Sequence, residues 1–315
     1  SAASDVYKRQ LSACTGKKEK HSALPELQTL TFGLMPSFDG LPSLVAVRQG
    51  IYDSLDIKID FITYASATDR DAAFLSGKLD GMLTDYPGAT LLQAKGSRLR
   101  LVMETDGSLS LIASKKSNVR NPDDLKGKNI SVSGNTFVEY ATDEVMKRAC
   151  LHPGEVNKPE INNIPLRLMM LEDGQISASF LPGPATAIAL NDGHTALLNT
   201  RQMGLHCTGI VFSEKAITEK DEEIRRFITG YNLGVKYLQT RPQNEWTEIL
   251  VKEFGLQEKA AMQIDLPDYR PATRPSYHDI EKIIAWLKSK RAIPDYYPGE
   301  NLVDTTFIPG TPEPQ

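Results

Sequence analysis

Short apolar runs alternate with amphipathic segments along the chain from Leu30 onward. Apolar runs bounded by Gly, Pro, Ser or Asn are typical of short strands, and longer segments with apolar positions three and four apart are typical of helices. The pattern predicts strands at Leu30–Met35, Ile57–Thr63, Leu99–Glu104, Leu109–Ala113, Asn129–Val132, Ala196–Asn199 and Gly209–Phe212. It predicts helices at Leu41–Arg48, Asp69–Ser76, Phe137–Cys150, Pro165–Asp173, Lys220–Thr240, Trp246–Gly255 and Ser276–Lys290.

Two stretches, Phe74–Gly96 and Leu171–Gly193, share one pattern at a constant offset and without a gap. In each, a helix ends at a glycine, a short apolar strand follows, and a proline lies in the first turn of a second helix. Pro87 thus aligns with Pro184. The alternative is a chance similarity between short segments punctuated by Gly and Pro, but the gapless alignment favours a repeat.

A strand followed by a helix indicates a parallel sheet, and ligands of such sheets bind beyond the carboxyl ends of the strands, near helix N-termini. Two copies of this unit therefore predict two α/β lobes that face each other. The residues at the equivalent edges are Thr84, Asp85, Tyr86, Leu181 and Pro182.

A third strand-to-helix junction lies at Ser133, Gly134, Asn135 and Thr136. Its backbone amides could bind an oxygen-bearing ligand, or the sequence could simply cap the helix that follows. The sequence leaves both alternatives open.

The overall composition is that of an ordinary globular protein long enough for two cores. The chain has 315 residues, 40% of them hydrophobic, and a formal net charge of -4. It therefore offers no basic surface for nucleic acid. No segment predicts a membrane-spanning helix.

The cysteines do not have the paired spacing of a zinc or redox site. Cys150 and Cys207 are expected to be buried and inert. Cys14 follows Leu11, Ser12 and Ala13, which resembles the bacterial lipobox and implies a lipidated cysteine. The apolar run that such a signal needs upstream is missing from residues 1–10. We therefore interpret residues 1–25 as a signal remnant and a lipoprotein tether.

Four segments together resemble a known group of proteins. They are Pro42–Tyr52 after the first strand, Gly77–Gly81, the Ser114–Asn129 crossing with its Asp-Leu-Lys-Gly-Lys run, and Leu171–Ala189. In order and spacing the chain resembles the solute-binding proteins of ABC importers for nitrate, sulfonates and thiamine-pyrimidine precursors. The resemblance extends from Leu30 to the last helix.

The resemblance implies the type II periplasmic binding protein fold, an α/β fold in which two crossing strands join two lobes, each a mixed sheet flanked by helices. Lobe 1 would comprise residues 26–113 and 213–315, with the C-terminal helices, and lobe 2 residues 114–212. It also implies a monomer that closes over a small molecule and binds to an ABC permease and its ATPase. Such a protein would reach the membrane only through its lipid anchor. Its location would then be the periplasmic or extracellular side of a bacterial cell envelope.

Carried over by position, the resemblance implies a ligand site formed by the loops at the lobe edges. These residues are Ser37, Phe38, Asp39, Ser66, Thr84, Asp85, Tyr86, Asn135, Thr136, Glu139, Leu181 and Pro182. Three carboxylates would make the cleft acidic, two aromatic rings would supply flat walls, and no arginine or lysine falls at these edges. The balance favours an amine or a pyrimidine of the thiamine-precursor type over a sulfonate, taurine or nitrate. The alternative for the carboxylates is that they cap helices.

No catalytic constellation is apparent, and the chain is expected to be no enzyme and to need no cofactor or metal. The five histidines are scattered and none is paired with a nucleophile. An enzyme resembling the pyrimidine synthases of this fold is the alternative from another class, but the cysteine-rich run of those enzymes is missing. A sensor, or a lipoprotein without a permease, is a second alternative.

Overall fold

The computed structural model describes residues 27–264 and 266–308. Cys14 and the predicted tether at residues 1–25 lie outside these ranges.

The strands are β1 (Leu30–Leu34), β2 (Ile59–Thr63), β3 (Gly81–Asp85), β4 (Leu99–Glu104), β5 (Leu109–Ala113), β6 (Ile130–Ser131), β7 (Ala178–Pro182), β8 (Thr195–Asn199) and β9 (Thr208–Ser213). The helices are α1 (Leu41–Arg48), α2 (Ile51–Ser54), α3 (Ala67–Leu75), α4 (Tyr86–Ala94), α5 (Phe137–Arg148), α6 (Ile164–Glu172), α7 (Gly183–Asn191), α8 (Glu214–Glu219), α9 (Asp221–Thr240), α10 (Thr247–Phe254), α11 (Glu258–Gln263) and α12 (Tyr277–Ser289).

The strands form two mixed sheets, and each sheet with its helices is a lobe. The sheet of lobe 1 has the order β2-β1-β3-β9-β4, in which β1 is parallel to β2 and β3, and β9 lies antiparallel between β3 and β4. The sheet of lobe 2 has the order β6-β7-β5-β8 and is flanked by α5, α6 and α7. Each segment named from the hydrophobic pattern is therefore confirmed, with its ends shifted by no more than two residues.

The two internal copies are confirmed as equivalent units, one in each lobe. β3 and β7, and likewise α4 and α7, occupy equivalent positions in the sequence. The glycines that end the preceding helices, Gly77 and Gly174, have φ of +75° and +76°, the left-handed conformation that glycine adopts without a steric penalty. Pro87 and Pro184 lie in the first turns of α4 and α7.

Two crossings join the lobes, at residues 105–108 between β4 and β5 and at residues 200–207 between β8 and β9. Since β5 pairs with β7 and β8, it belongs to lobe 2, whereas β9 pairs with β3 and β4 and belongs to lobe 1. The bounds predicted at Ala113/Ser114 and Phe212/Ser213 are therefore wrong by one strand each. An apolar strand has the same sequence pattern in either sheet, so the pattern could not assign it to one of them.

The C-terminal helix α12 contacts both lobes. It packs against α4 of lobe 1, and Trp286 lies edge-on to Tyr140 of α5, with ring centroids 5.3 Å apart. The indole Nε1 donates a hydrogen bond to Oδ2 of Asp143 at 2.9 Å, and Lys290 forms an ion pair with Glu139. The side of the molecule that carries α4, α5 and α12 therefore has a continuous interface between the lobes.

We expect Trp286→Phe to lower the free energy of unfolding by about 1.5–3 kcal/mol, because it removes one hydrogen bond to a carboxylate and keeps the aromatic contact. Asp143 stays paired with Lys158 at 2.7 Å, so its charge does not become unpartnered. The urea midpoint at constant m-value measures the change. Tyr296→Phe is the control, because Tyr296 is 87% exposed. If Trp286→Phe and Tyr296→Phe had the same urea midpoint, the hydrogen bond from the indole to Asp143 would not stabilise the fold.

Of the two cysteines expected to be buried, Cys207 is buried and Cys150 is exposed. Cys150 follows the end of α5 with φ of +53°, so the chain turns there and its side chain leaves the apolar face of the helix. The prediction for Cys150 is wrong because the helix ends two residues earlier than the pattern indicates.

Candidate functional site: a cavity between the lobes

A cavity of about 90 Å³ lies between the two lobes, beside the crossings. Lobe 1 contributes the loop after β1, the start of α3 and the end of β3, while lobe 2 contributes the start of α5, residues of α6 and the end of β7. Its polar lining residues are Ser37, Asp39, Arg70, Thr84, Asp85, Ser133, Thr136, Asn162, Arg167 and Thr208. A volume of this size can contain several water molecules or one small ligand.

Half of the residues implied by the resemblance line this cavity. They are Ser37, Asp39, Thr84, Asp85, Thr136 and Pro182. They come from four different segments that the topology brings to the same side of the two sheets. Their contact with a ligand stays a prediction, because the cavity establishes only that they face a common space.

The other residues implied for the site have different surroundings. Tyr86 was expected to form a flat wall, but its ring is fully buried and its hydroxyl donates to Oε2 of Glu104 at 2.8 Å. Burial, together with the charge of Glu104, raises the pKa of Tyr86. Leu181 is fully buried in the apolar core of lobe 2. Ser66 caps α3 by accepting a hydrogen bond from the amide of Asp69 at 3.1 Å.

Glu139 and Asn135 form a local contact at the start of α5. The amide of Asn135, whose φ of +56° is left-handed, donates to Oε2 of Glu139 at 2.7 Å. Glu139 also pairs with Lys158 at 3.4 Å and with Lys290. The structure therefore places both residues beside the cavity lining, in a network that fixes the helix terminus.

Asp85 accepts hydrogen bonds from helices of both lobes. Its Oδ1 accepts from the amide of Gly88 at 2.7 Å in α4, and its Oδ2 accepts from the amide of Phe137 at 3.0 Å, the first residue of α5. Burial raises the pKa of Asp85, while the charge of Arg70 and the two amides oppose that rise. Thr136 caps the amide of Val138 at 3.2 Å. The first backbone amides of α5 therefore donate to side chains of the protein itself, as the capping alternative requires.

Asp39 is 2% exposed and lies where the loop after β1 reaches the crossings. Its carboxylate accepts hydrogen bonds from the hydroxyls of Ser37 at 2.5 Å and Thr105 at 3.0 Å. Thr105 belongs to the first crossing, and its Oγ1 lies 2.9 Å from Oγ1 of Thr208 at the end of the second. Burial raises the pKa of Asp39, the two hydroxyls oppose the rise, and the neighbouring charge of Asp106 adds to it.

Two arginines line the cavity, so the expectation that no arginine or lysine lies at the cleft is wrong. Arg70 of α3 is paired with Asp71 at 2.6 Å and donates to the carbonyl oxygen of Leu83 at 3.1 Å. Arg167 of α6 is 2% exposed. Its Nη1 donates a long hydrogen bond, 3.3 Å, to the carbonyl oxygen of Ile161, and its Nε has no partner.

Arg167 has no carboxylate partner among the described residues. Burial is the cause of the shift that lowers the pKa of Arg167 to about 10, and no neighbouring charge contributes to it. A guanidinium almost always keeps its proton, so the structure contains a buried, uncompensated positive charge at the cavity wall. This residue is the strongest chemical feature of the site.

Phe38 lines a second, wide groove between the lobes. Its ring is 5% exposed, packs edge-on against Phe254 with centroids 5.2 Å apart, and lies against Gly183 of lobe 2. The groove has a volume of about 1080 Å³ and lies between α7 and β8 of lobe 2 and a set of residues near α11, namely Lys259, Ala260, Ile264, Leu266, Pro267 and Asp268. Phe38 lines this groove, whereas its chain neighbours Ser37 and Asp39 line the small cavity.

Two mixed sheets, joined by two crossings beside a cavity that both lobes line, define a two-lobed binding protein of the type II periplasmic binding protein fold. The chain belongs to the family described as NMT1/THI5 like, which matches residues 37–245. None of the curated proteins compared with the chain matches it.

Solved structures with low sequence identity share the fold. The ligand-binding component of an ABC-type import system from Staphylococcus aureus is 14% identical, with a TM-score of 0.75 over 89% of this chain and 97% of that chain. The alkanesulfonate-binding protein SsuA from Xanthomonas axonopodis pv. citri is 19% identical, with a TM-score of 0.71 over 87% and 96%. The nitrate-binding protein NrtA from Synechocystis is 13% identical, with a TM-score of 0.72 over 87% and 84%.

Among residues 27–264 and 266–308, no helix combines the length and the apolar character needed to cross a membrane. In the same part of the chain, His, Cys, Asp and Glu side chains form no group of three or more that could hold a metal ion.

Proposed function

We propose that this chain is the extracytoplasmic solute-binding component of an ABC importer, and that its ligand is a small molecule with an anionic group. The unpaired Arg167 at the wall of the cavity is the observation that carries the proposal. An ABC permease and its ATPase would be the partners. Monomeric state and attachment to the membrane through lipidated Cys14 are parts of the same proposal.

Arg167 supports an anionic ligand because a buried charge without a partner is costly. A sulfonate, a carboxylate or nitrate offers oxygens at the spacing that a guanidinium binds with two parallel hydrogen bonds. The amine or pyrimidine that the sequence favours was argued from a cleft without arginine. With Arg167 in the lining, a purely cationic ligand would face an uncompensated like charge.

The position of the cavity supports capture of a ligand between the two lobes. Arg70 and Asp39 come from lobe 1 and Arg167 from lobe 2, so a ligand in the cavity contacts both. A ligand that makes contacts in the closed form alone shifts the equilibrium toward closure. The closed shape would then be the one that a permease recognises.

The names of the structural neighbours favour the same chemistry. Two of them are named for alkanesulfonate and nitrate, both of them anions. A further neighbour, with a TM-score of 0.64 and 13% identity, is named desulfurization enzyme DSZB. We propose binding without catalysis for this chain, because the described lining of the cavity contains neither cysteine nor histidine.

Thermal unfolding of the purified chain with three classes of small ligand tests the proposal. The classes carry an anionic group, a cationic group alone, or no charge, with aminopyrimidines tested among the last two. We expect stabilisation only from the first class, by about 2.7 kcal/mol at 100 times the dissociation constant. Stabilisation by a cation or a neutral pyrimidine, with all anions inactive, would contradict the proposal.

A further inference from the structure

We propose that two hydrogen bonds at the wall of the cavity hold the lobes together before a ligand binds. One joins Phe137 to Asp85 and the other joins Ile164 to Ala65, and we call this pair of bonds the latch. In each, the first amide of a lobe 2 helix donates to an acceptor in lobe 1. The latch is a property of the chain alone and does not depend on which ligand the cavity takes.

The first bond runs from the amide of Phe137 to Oδ2 of Asp85, at 3.0 Å. Phe137 is the first residue of α5, and the first amides of a helix have no acceptor within the helix itself. The side chain that caps α5 within lobe 2 is that of Thr136, and it accepts from the amide of Val138. The amide of Phe137 therefore has its partner in lobe 1.

The second bond has the same form at the start of α6. The amide of Ile164, the first residue of α6, donates at 3.1 Å to the carbonyl oxygen of Ala65, in the loop after β2 of lobe 1. The side chain that caps α6 within lobe 2 is that of Asn163, and it accepts from the amide of Leu166. Since Phe137 and Ile164 both line the cavity, the two bonds lie at its wall.

Asp85 is the stronger acceptor of the latch, because it lies at the N-terminal ends of helices from both lobes. Its Oδ1 accepts from the amide of Gly88 in the first turn of α4, while its Oδ2 accepts from Phe137. A carboxylate is stabilised at the positive end of a helix dipole, and here two such ends share one carboxylate. Hydrogen bonds to a charged acceptor are also stronger than those between neutral groups. Separation of the lobes would leave Asp85 with one of its two helices.

Both bonds of the latch join protein groups, so they act whether or not a ligand is bound. They favour the arrangement in which the lobes meet, and a ligand then selects an arrangement that is already populated. The cavity is thus preorganised for capture, which reduces the cost of ordering the protein on binding. Asp85 sets the populated fraction.

Hydrogen exchange of the purified full chain without ligand, read at single-amide resolution, tests the latch. In the wild type, the amides of Phe137 and Ile164 should have the same protection factor, because one separation of the lobes exposes both. Asp85→Asn keeps an oxygen that can cap α4, but it places a donor group opposite the amide of Phe137. We expect both amides to exchange at least about tenfold faster in this variant, the effect of losing a hydrogen bond to a charged group.

The control amides are those of Val138 and Leu166, because their acceptors, Thr136 and Asn163, belong to the same lobe. Their exchange should stay at the wild-type rate in Asp85→Asn. All four rates should stay unchanged in Asp123→Asn, which alters an exposed aspartate of lobe 2.

Faster exchange of Phe137 alone would overturn the inference, since Asp85 would then cap α5 without joining the lobes. Unequal protection of Phe137 and Ile164 in the wild type, or exchange of both at the rate of an unstructured peptide, would overturn it as well. Equal acceleration of the control amides would mean that the substitution loosens lobe 2 itself, which also contradicts the latch. No ligand enters the test, so a failure of the latch leaves the proposed function standing.

Discussion

Replacing Arg167 with methionine is expected to weaken binding of the anionic ligand by at least about 30-fold, because truncating one member of a buried, hydrogen-bonded charge pair costs about 2 kcal/mol or more. Methionine has a similar length and fits an apolar helix face. The variant would keep α6 in place, since the hydrogen bond that Arg167 donates within the described part of the chain is one long contact, to the carbonyl oxygen of Ile161. Isothermal titration with the best anionic ligand measures the loss.

The stability of the ligand-free protein separates binding from structure. Because burial disfavours the charged form of Arg167, we expect Arg167→Met to unfold at the same temperature as the wild type or at a higher one. Arg120→Met is the matched control, since Arg120 is an exposed arginine of the same lobe. A large loss of stability with binding intact would assign Arg167 to the fold and would contradict the proposed function.

Arg167→Lys refines the same experiment. Lysine keeps the positive charge but lacks the planar pair of donors that matches a sulfonate or carboxylate. We therefore expect its affinity to fall between those of the wild type and the methionine variant. Full wild-type affinity would mean that charge alone, without the guanidinium geometry, suffices for the site.

The sequence predicted the fold well because the fold is specified by local patterns. The apolar run of each strand, the glycines in left-handed conformation at Gly77 and Gly174, and the prolines of α4 and α7 are all properties of a few neighbouring residues. The membership of β5 and β9 could not be predicted in this way. Pairing of a strand depends on residues far away in the sequence.

The same distinction, between local patterns and tertiary packing, separates the cleft residues that the sequence placed correctly from those that it did not. Thr84, Asp85 and Pro182 end β3 and β7, and strand ends of equivalent units meet at one edge, so their positions were predictable. Tyr86 follows directly but begins α4, where its ring points into the core toward Glu104. The direction of a side chain at a helix terminus depends on tertiary packing.

The two arginines were missed because they lie within helices and not in loops. Arg167 takes the place of an apolar residue between Ile164 and Leu171 on the buried face of α6, and Arg70 shares the buried face of α3 with Ala73 and Phe74. A cation at a position where helical periodicity requires an apolar residue was the available signal. Such a residue is buried against the helix's own lobe or against a ligand, and the sequence does not distinguish the two.

Replacing Gly183 with valine is expected to lower ligand affinity by about 10- to 100-fold, although Gly183 does not line the cavity. A Cβ at this position would overlap the ring of Phe38 in the opposite lobe, with Cγ of that ring 3.0 Å away. Phe38 cannot easily retreat, because Phe254 packs against its other side. Overpacking of this kind costs about 1–3 kcal/mol, and here the cost falls on the closed form alone.

The apparent affinity is then reduced in proportion to the fraction of molecules that can still close. Titration measures the loss, and small-angle scattering of the ligand-free variant should give a radius of gyration no smaller than that of the wild type. A second substitution in the same chain, Phe38→Ala, removes the overlapping ring and should recover most of the affinity, since the effects of substitutions at contacting residues are not additive. If Gly183→Val loses affinity and Phe38→Ala does not restore it, the contact between these residues does not control closure. If Gly183→Val binds as the wild type does, the lobes close on the ligand without bringing Phe38 and Gly183 together.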